Sequence, residues 1–193
     1  MNGFLIFIGA ALINNVILSH ALGIRGMIDH SKHLKSAFRF GLMLSLVMML
    51  SGLVIFPVHH FVLYPMGITS FNLMVFVLVI VGWVWLVGIC LKKISPALAG
   101  EFDISRPLIL VNSAILGFVL LGVDQFSNPL GLTIVYTVGT AAGFTLVMVL
   151  FAGIWERIQY NEVSPNFKGI PIAMITAGLM AIVFFGFTGL FSQ

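Results

Sequence analysis

Long apolar runs alternate with short polar or turn-rich pieces along the whole chain. Six runs come close to the roughly 20 apolar residues that a membrane-crossing helix needs. They cover residues 4–22, 37–57, 71–91, 107–123, 130–155 and 170–191. The pieces between them read IRGMIDHSKHLK, HHFVLYPMGITS, KKISPALAGEFDISR, DQFSN and ERIQYNEVSPNFKG. Backbone inside lipid must satisfy its own hydrogen bonds, so the runs predict helices. The short alternating segments of an outer-membrane barrel do not occur. The fourth run is short, which predicts a tilted or broken helix.

Composition fits this pattern. The chain is 60% hydrophobic and 8% charged, with a mean hydropathy of +1.16. A soluble domain carries about 25% charged residues. The expected fold is therefore an all-α membrane protein with six transmembrane helices, forming a single integral membrane domain over residues 1–193. The first run has no basic residue ahead of it and is long for a signal peptide, so it is read as a span.

Charge predicts the orientation. All nine Lys and Arg lie in or beside three connections: Arg25, Lys32, Lys35 and Arg39; Lys92, Lys93 and Arg106; Arg157 and Lys168. By the positive-inside rule these face the cytoplasm, and both termini face outside. The isoelectric point near 9.3 thus reports topology. No basic patch with interleaved aromatics argues for nucleic acid.

The sequence also repeats itself. LINNVIL (12–18) matches LVNSAIL (110–116), with Asn14 and Asn15 answering Asn112 and Ser113. LSLVMMLSGL (44–53) resembles FTLVMVLFAGI (144–154) at nearly the same offset. The repeat halves fall at about 1–95 and 96–193. Each half holds three spans, an odd number, so the second half enters from the opposite side: a 3+3 inverted-topology repeat. Inverted repeats are common in transporters, whose sites lie where matched broken helices meet. Asn14, Asn15, Asn112 and Ser113 form the predicted polar centre of the membrane domain. Asparagines that simply bridge helices by hydrogen bonds would give the same doubled pattern.

Other features carry less. Cys90 is the only cysteine and reads as a small packing residue, so the chain alone builds neither a disulfide nor a thiolate cluster. Gly139 and Gly143 form a GxxxG suited to close helix packing, a motif frequent by chance. The His59–His60 pair, and His20, His30 and His33, read as solvated surface. Glu156 and Arg157 read as an interfacial ion pair. No nucleophile–base set, phosphate loop or metal motif is visible.

The C-terminal stretch GFTLVMVLFAGIWERIQYNEVSPNFKGIPIAMITAGLMAIVFFGFTGL resembles the A-type membrane subunits of Rnf and Nqr complexes, RnfA and NqrE. LVMVLFAGIWER, VSPNFKG and ITAGLMAIVFFGFTGL carry the likeness. ALINNVILSHALGI, KKISPALAG and LVNSAILG extend it over essentially the whole chain. The resemblance implies a six-helix subunit of an inner-membrane complex that couples electron transfer to Na⁺ or H⁺ translocation. It also implies an inverted sibling, RnfE- or NqrD-like, among other Rnf/Nqr-like partners. The siblings together would hold one [2Fe–2S] cluster, each giving two cysteines. This chain departs from that pattern. Arg25 stands in LGIRG where the family has its first cysteine, and Ser113 stands in VNSA where it has its second. A guanidinium has no lone pair to offer, and serine is a poor iron–sulfur ligand. The expectation is a chain that binds no cofactor or metal by itself and has no catalytic residue of its own. Two readings of Arg25 stand: a charge at the membrane surface, or a buried cation needing a partner such as Asp29. Two functions also stand: a subunit of an Rnf/Nqr-type complex without this cluster, or a transporter or channel derived from the same fold.

Overall fold

A computed structural model describes residues 3–67, 69–123 and 129–187. Among these the chain is helical, with no strand. We number the helices α1 (Gly3–Ile13), α2 (Val16–His20), α3 (Ile24–His30), α4 (Leu34–Leu63), α5 (Asn72–Ile94), α6 (Pro96–Leu110), α7 (Ser113–Leu121), α8 (Leu130–Ile158) and α9 (Ile170–Phe185). The last turns of α1, from Gly9, and of α4, from His59, are π-helical.

Helices α4, α5 and α8 are long and apolar enough to cross a membrane. Residues Leu98–Leu110 of α6 and α7 pass the same test together, as a pair bent by 56°. Helices α1 and α9 are shorter apolar helices. The composition thus resolves into a multi-pass helical membrane protein. Large side chains on its outer faces, such as Leu78, Trp85, Ile182 and Val183, are exposed as lipid-facing residues are.

Three segments differ from the sequence expectation. The first run is not one helix: it breaks at Asn14–Asn15, between α1 and α2. The fourth is broken, as its length suggested, and its helix starts far earlier. Most of KKISPALAGEFDISR is helical, because Pro96 at the first helical position and the following ALA favour a helix start that an apolar-run count passes over. The second helix runs on through His59–Leu63 beyond Pro57, where the sequence suggested a connection. The expected connection DQFSN lies outside the described residues.

Small residues set the centre. α4 and α8 pack along each other, joined by Ser45, whose hydroxyl donates to the Ala141 carbonyl at 2.7 Å and lies 2.7 Å from Thr145 Oγ1. A Cβ on Gly52 would stand 2.8 Å from Thr137. Little hydrophobic drive brings helices together in lipid, so such close backbone approach and hydroxyl bonding substitute for it. Helices far apart in sequence also pack together: α1 lies against α8, α2 against α9 and α7 against α4, while α6 lies against its neighbour α5.

Candidate functional site

Two helix breaks have the same local chemistry. At the first, Asn15 has an extended backbone and its side-chain oxygen accepts from the Ile17 N–H at 3.1 Å. Its amide nitrogen donates to the Ala11 carbonyl at 2.9 Å. At the second, Asn112 is also extended and accepts from the Ala114 N–H at 2.8 Å. An asparagine N-cap satisfies an N–H group that a new helix leaves orphaned. Inside lipid no water can take that place, so the amides make the breaks tolerable. Both residues are buried, Asn15 at 1% and Asn112 at 8% exposure.

The sequence match paired Asn14 with Asn112 and Asn15 with Ser113. The structure shifts that register by one: Asn15 and Asn112 are the equivalent caps. Asn14 is exposed instead, at the mouth of a cavity of about 420 Å³ that Ser19 and Ile182 also line. Asn15 and Asn112 are internal, while Asn14 and Ser113 open onto its surface.

The second break meets the segment after the first. After α2 the chain turns through Ala21 and Gly23, both with left-handed backbone, φ +56° and +81°. The turn carries the Gly23 N–H to the Ser113 hydroxyl, to which it donates at 2.9 Å. A Cβ on Gly23 would stand 2.8 Å from that of Ala114, so this close approach requires glycine for space as well as for φ. Gly26 lies as close to the Asn112 amide, a Cβ there reaching 3.2 Å from Nδ2.

Around this junction lies a cavity of about 280 Å³, lined by Arg25, Gly26, Pro107, Val111, Asn112 and Ser113. Arg25 and Ser113, the two positions marked by the family likeness, thus share one cavity although 88 residues apart in sequence (113 − 25). The Arg25 side chain is 88% exposed within the chain and reaches Asp29 at 3.8 Å. Arg25 is thus exposed on this chain and not buried within it, with Asp29 as its ion-pair partner. The donor set is a guanidinium, a hydroxyl and an amide. Cys90 is exposed on α5 and does not line the cavity. Among the described residues no three His, Cys, Asp or Glu come together to hold a metal ion. This chain's donors do not fit an iron–sulfur cluster.

Several polar residues gain roles that the sequence hid. His59 is 2% exposed rather than solvated, and its ring nitrogens have no hydrogen-bond partner among the described residues. Continuation of α4 past Pro57 turns it toward Phe76, 6.4 Å away between ring centroids. The expected Glu156–Arg157 ion pair is not among the ion pairs of the described residues; the Glu156 carboxylate instead accepts from the Leu34 N–H at 2.7 Å, capping α4. Asp103 pairs with Arg106 and lies 3.2 Å from Lys92. The Arg106 guanidinium fills the space where a Cβ on Gly88 would be. A glycine in a span facing an arginine three helical turns after a proline is no motif, and only the fold brings them together.

A polytopic helical membrane protein built on two asparagine-capped helix breaks is the class these features define. The family model described as "Rnf-Nqr subunit, membrane protein" matches residues 3–191, and the chain belongs to that family. It is 41% identical over 186 residues to the A-type subunit of the ion-translocating oxidoreductase complex from Yersinia enterocolitica, covering 96% of each chain. The same subunit from Yersinia pestis gives the same identity and coverage. That of Sodalis glossinidius is 40% identical over 191 residues, 98% of each chain. The protein is thus a membrane subunit of the Rnf-Nqr family.

Proposed function

We propose that this chain is the A-type subunit of an inner-membrane complex that couples electron transfer to Na⁺ or H⁺ translocation, and that it works without an intersubunit [2Fe–2S] cluster. The observation that carries the second part is the single cavity holding Arg25 and Ser113, where relatives are expected to bring thiolates. An inverted RnfE- or NqrD-like sibling covers this cavity. Six spans in a 3+3 inverted repeat, with both termini outside, fit the three basic connections and the two matched breaks. Electron flow then avoids this junction, and the chain contributes its broken helices to the ion path.

A second reading rests on the broken helices themselves. Paired breaks near the middle of a bundle are the architecture of many secondary transporters. On that reading the chain moves an ion or solute by itself or with a paralogue.

Purification of the tagged chain from native membranes in mild detergent separates the two. Rnf/Nqr-like subunits identified by mass spectrometry, with no intramembrane [2Fe–2S] signal in electron paramagnetic resonance, are the expected result. A solitary chain that conducts ions in liposomes would replace the first reading with the second. A [2Fe–2S] signal that follows this chain would overturn the cluster-free assignment. The double substitution Arg25→Cys and Ser113→Cys, made in the assembled complex, is expected to create such a signal if the sibling supplies the remaining thiolates.

A further inference from the structure

The largest cluster of basic groups among the described residues lies away from the helix breaks, where α4 begins beside α6. A cavity of about 410 Å³ opens there, at one end of the α4 span. His33, Lys35 and Arg39 line it from the α4 side, and Glu101 and Ser105 from α6. His30 closes one wall, stacked on Phe40 with ring centroids 3.9 Å apart. We propose that this cavity binds a phosphate-bearing anion, and that the occupant in the membrane is the headgroup of an acidic phospholipid.

Four features point to that ligand chemistry. Lys35 and Arg39 face one carboxylate within the lining, Glu101, while Glu156 holds the neighbouring Leu34 N–H from outside it. Glu101 pairs with Arg39 through Nη1, and a guanidinium has five N–H donors, so the pair orients Arg39 without exhausting it. Glu156 takes the Leu34 N–H of the first turn of α4, which leaves the Lys35 and Ser36 N–H groups without an acceptor within the helix. Ser36 adds a hydroxyl. Together these supply several N–H and O–H donors on one cavity wall, which suits the oxygens of a phosphate group.

The walls identify the source. Met43 and Phe40 continue the cavity along α4, and Ile104 at its edge is 81% exposed. A free phosphate ion has no use for this apolar margin, whereas an acyl chain leaving a headgroup does. The cavity also lies at a span end, the depth at which headgroups sit. Basic pockets between transmembrane helices are suited to acidic headgroups for these reasons. The proposal requires only that the chain is in a membrane, and does not depend on the absence of a cluster.

Native mass spectrometry of the full chain in mild detergent, offered equal phosphatidylglycerol and phosphatidylcholine, provides the test. Preferential retention of phosphatidylglycerol is expected. Lys35→Gln, an exposed position, should lower that retention about fivefold, as removal of one interfacial cation does. Lys168→Gln, at a different connection, should leave it unchanged. A parallel melting series with millimolar inorganic phosphate distinguishes the sources. Stabilisation by phosphate that Lys35→Gln removes, without lipid preference, would keep the anion site and assign it to a soluble ligand. Absence of both effects, or a lipid preference indifferent to both Lys35→Gln and Arg39→Gln, would overturn the proposal. If Arg39→Gln does not fold, Lys35→Gln decides alone.

Discussion

The Gly23 N–H donates to Ser113 Oγ across 90 residues of sequence, tying the turn after the first broken helix to the start of the second. Gly23 is buried, at the wall of the cavity onto which Ser113 opens. Leaving a buried donor unpaired costs about 1–3 kcal/mol. Ser113→Ala should therefore lower the melting temperature of the purified chain measurably. Ser113→Cys should lower it less, because sulfur is a weak acceptor but still an acceptor. Equal melting of Ser113→Ala and the parent would show that this bond contributes nothing to holding the turn against α7.

The two caps make a sharper contrast. Asn15 accepts from Ile17 and donates to Ala11, and Asn112 accepts from Ala114. Loss of an N-cap side chain costs about 0.5–2 kcal/mol. Asn15→Leu and Asn112→Leu should each destabilise by at least that much, and Asn15→Leu more, because Ala11 also loses its donor. Asn14→Leu, at an exposed position, should change stability little. Melting curves of the three variants check this order. A larger loss for Asn14→Leu than for Asn15→Leu would restore the register that the sequence repeat suggested.

How far the sequence reached is clear from the same residues. LINNVIL and LVNSAIL stand out at both breaks, because an amide inside an apolar run has few uses other than capping or bridging, but the count of apolar residues carries the first run through as one helix. They did not fix which asparagine caps. That depends on where the chain leaves the helix, at Asn14 in one case and Val111 in the other, and the residue types are the same on either register. Membrane residence and the family were legible from apolar runs and whole-chain motifs. The start of α6 was not, since PALAGEFDIS is neither apolar enough to count as a span nor polar enough to mark a loop. Burial of His59 was hidden too. A proline two residues earlier suggests a helix end, but α4 passes Pro57 as α-helix, continues from His59 as π turns and carries the imidazole inward. The sequence named Arg25 and Ser113 only through the family likeness. That they share a cavity is a property of the fold.

The GxxxG motif of α8, frequent by chance in sequences, is a true contact. A Cβ on Gly139 would stand 2.9 Å from the Phe7 carbonyl, and one on Gly143 would collide with the Ala11 carbonyl. The contacts are backbone atoms, which cannot swing aside as a side chain can. Gly143→Ala should therefore cost about 1–3 kcal/mol or more through overpacking, and reduce the folded yield. Gly153, on the same helix, has nothing within 4 Å of a built Cβ. Gly153→Ala should be neutral or stabilising by about 0.5–1 kcal/mol, since glycine is the poorer helix former. Comparable destabilisation by the two substitutions would mean that α1 does not lie against α8 as found.

His30 gives the chain a dependence on pH at its basic end. Burial against Phe40 pushes the imidazole below its ordinary range, while the Gly26 carbonyl and the Asp29 carboxylate pull it partly back. The neutral form is thus favoured in the folded state, and the unfolded chain takes up a proton first, near pH 6.5. Stability from this group is complete above that pH. It is lost as the pH falls through about 6.5 toward the lowered folded value, because there the unfolded state binds more protons. Melting temperatures of the parent should fall between pH 7.5 and pH 5.5. His30→Phe, which keeps a ring to stack on Phe40 but cannot titrate, should show a shallower fall over the same interval. An identical slope in both proteins would place the acid sensitivity elsewhere. A steeper fall in His30→Phe would reverse the sign and show that the folded chain holds His30 protonated.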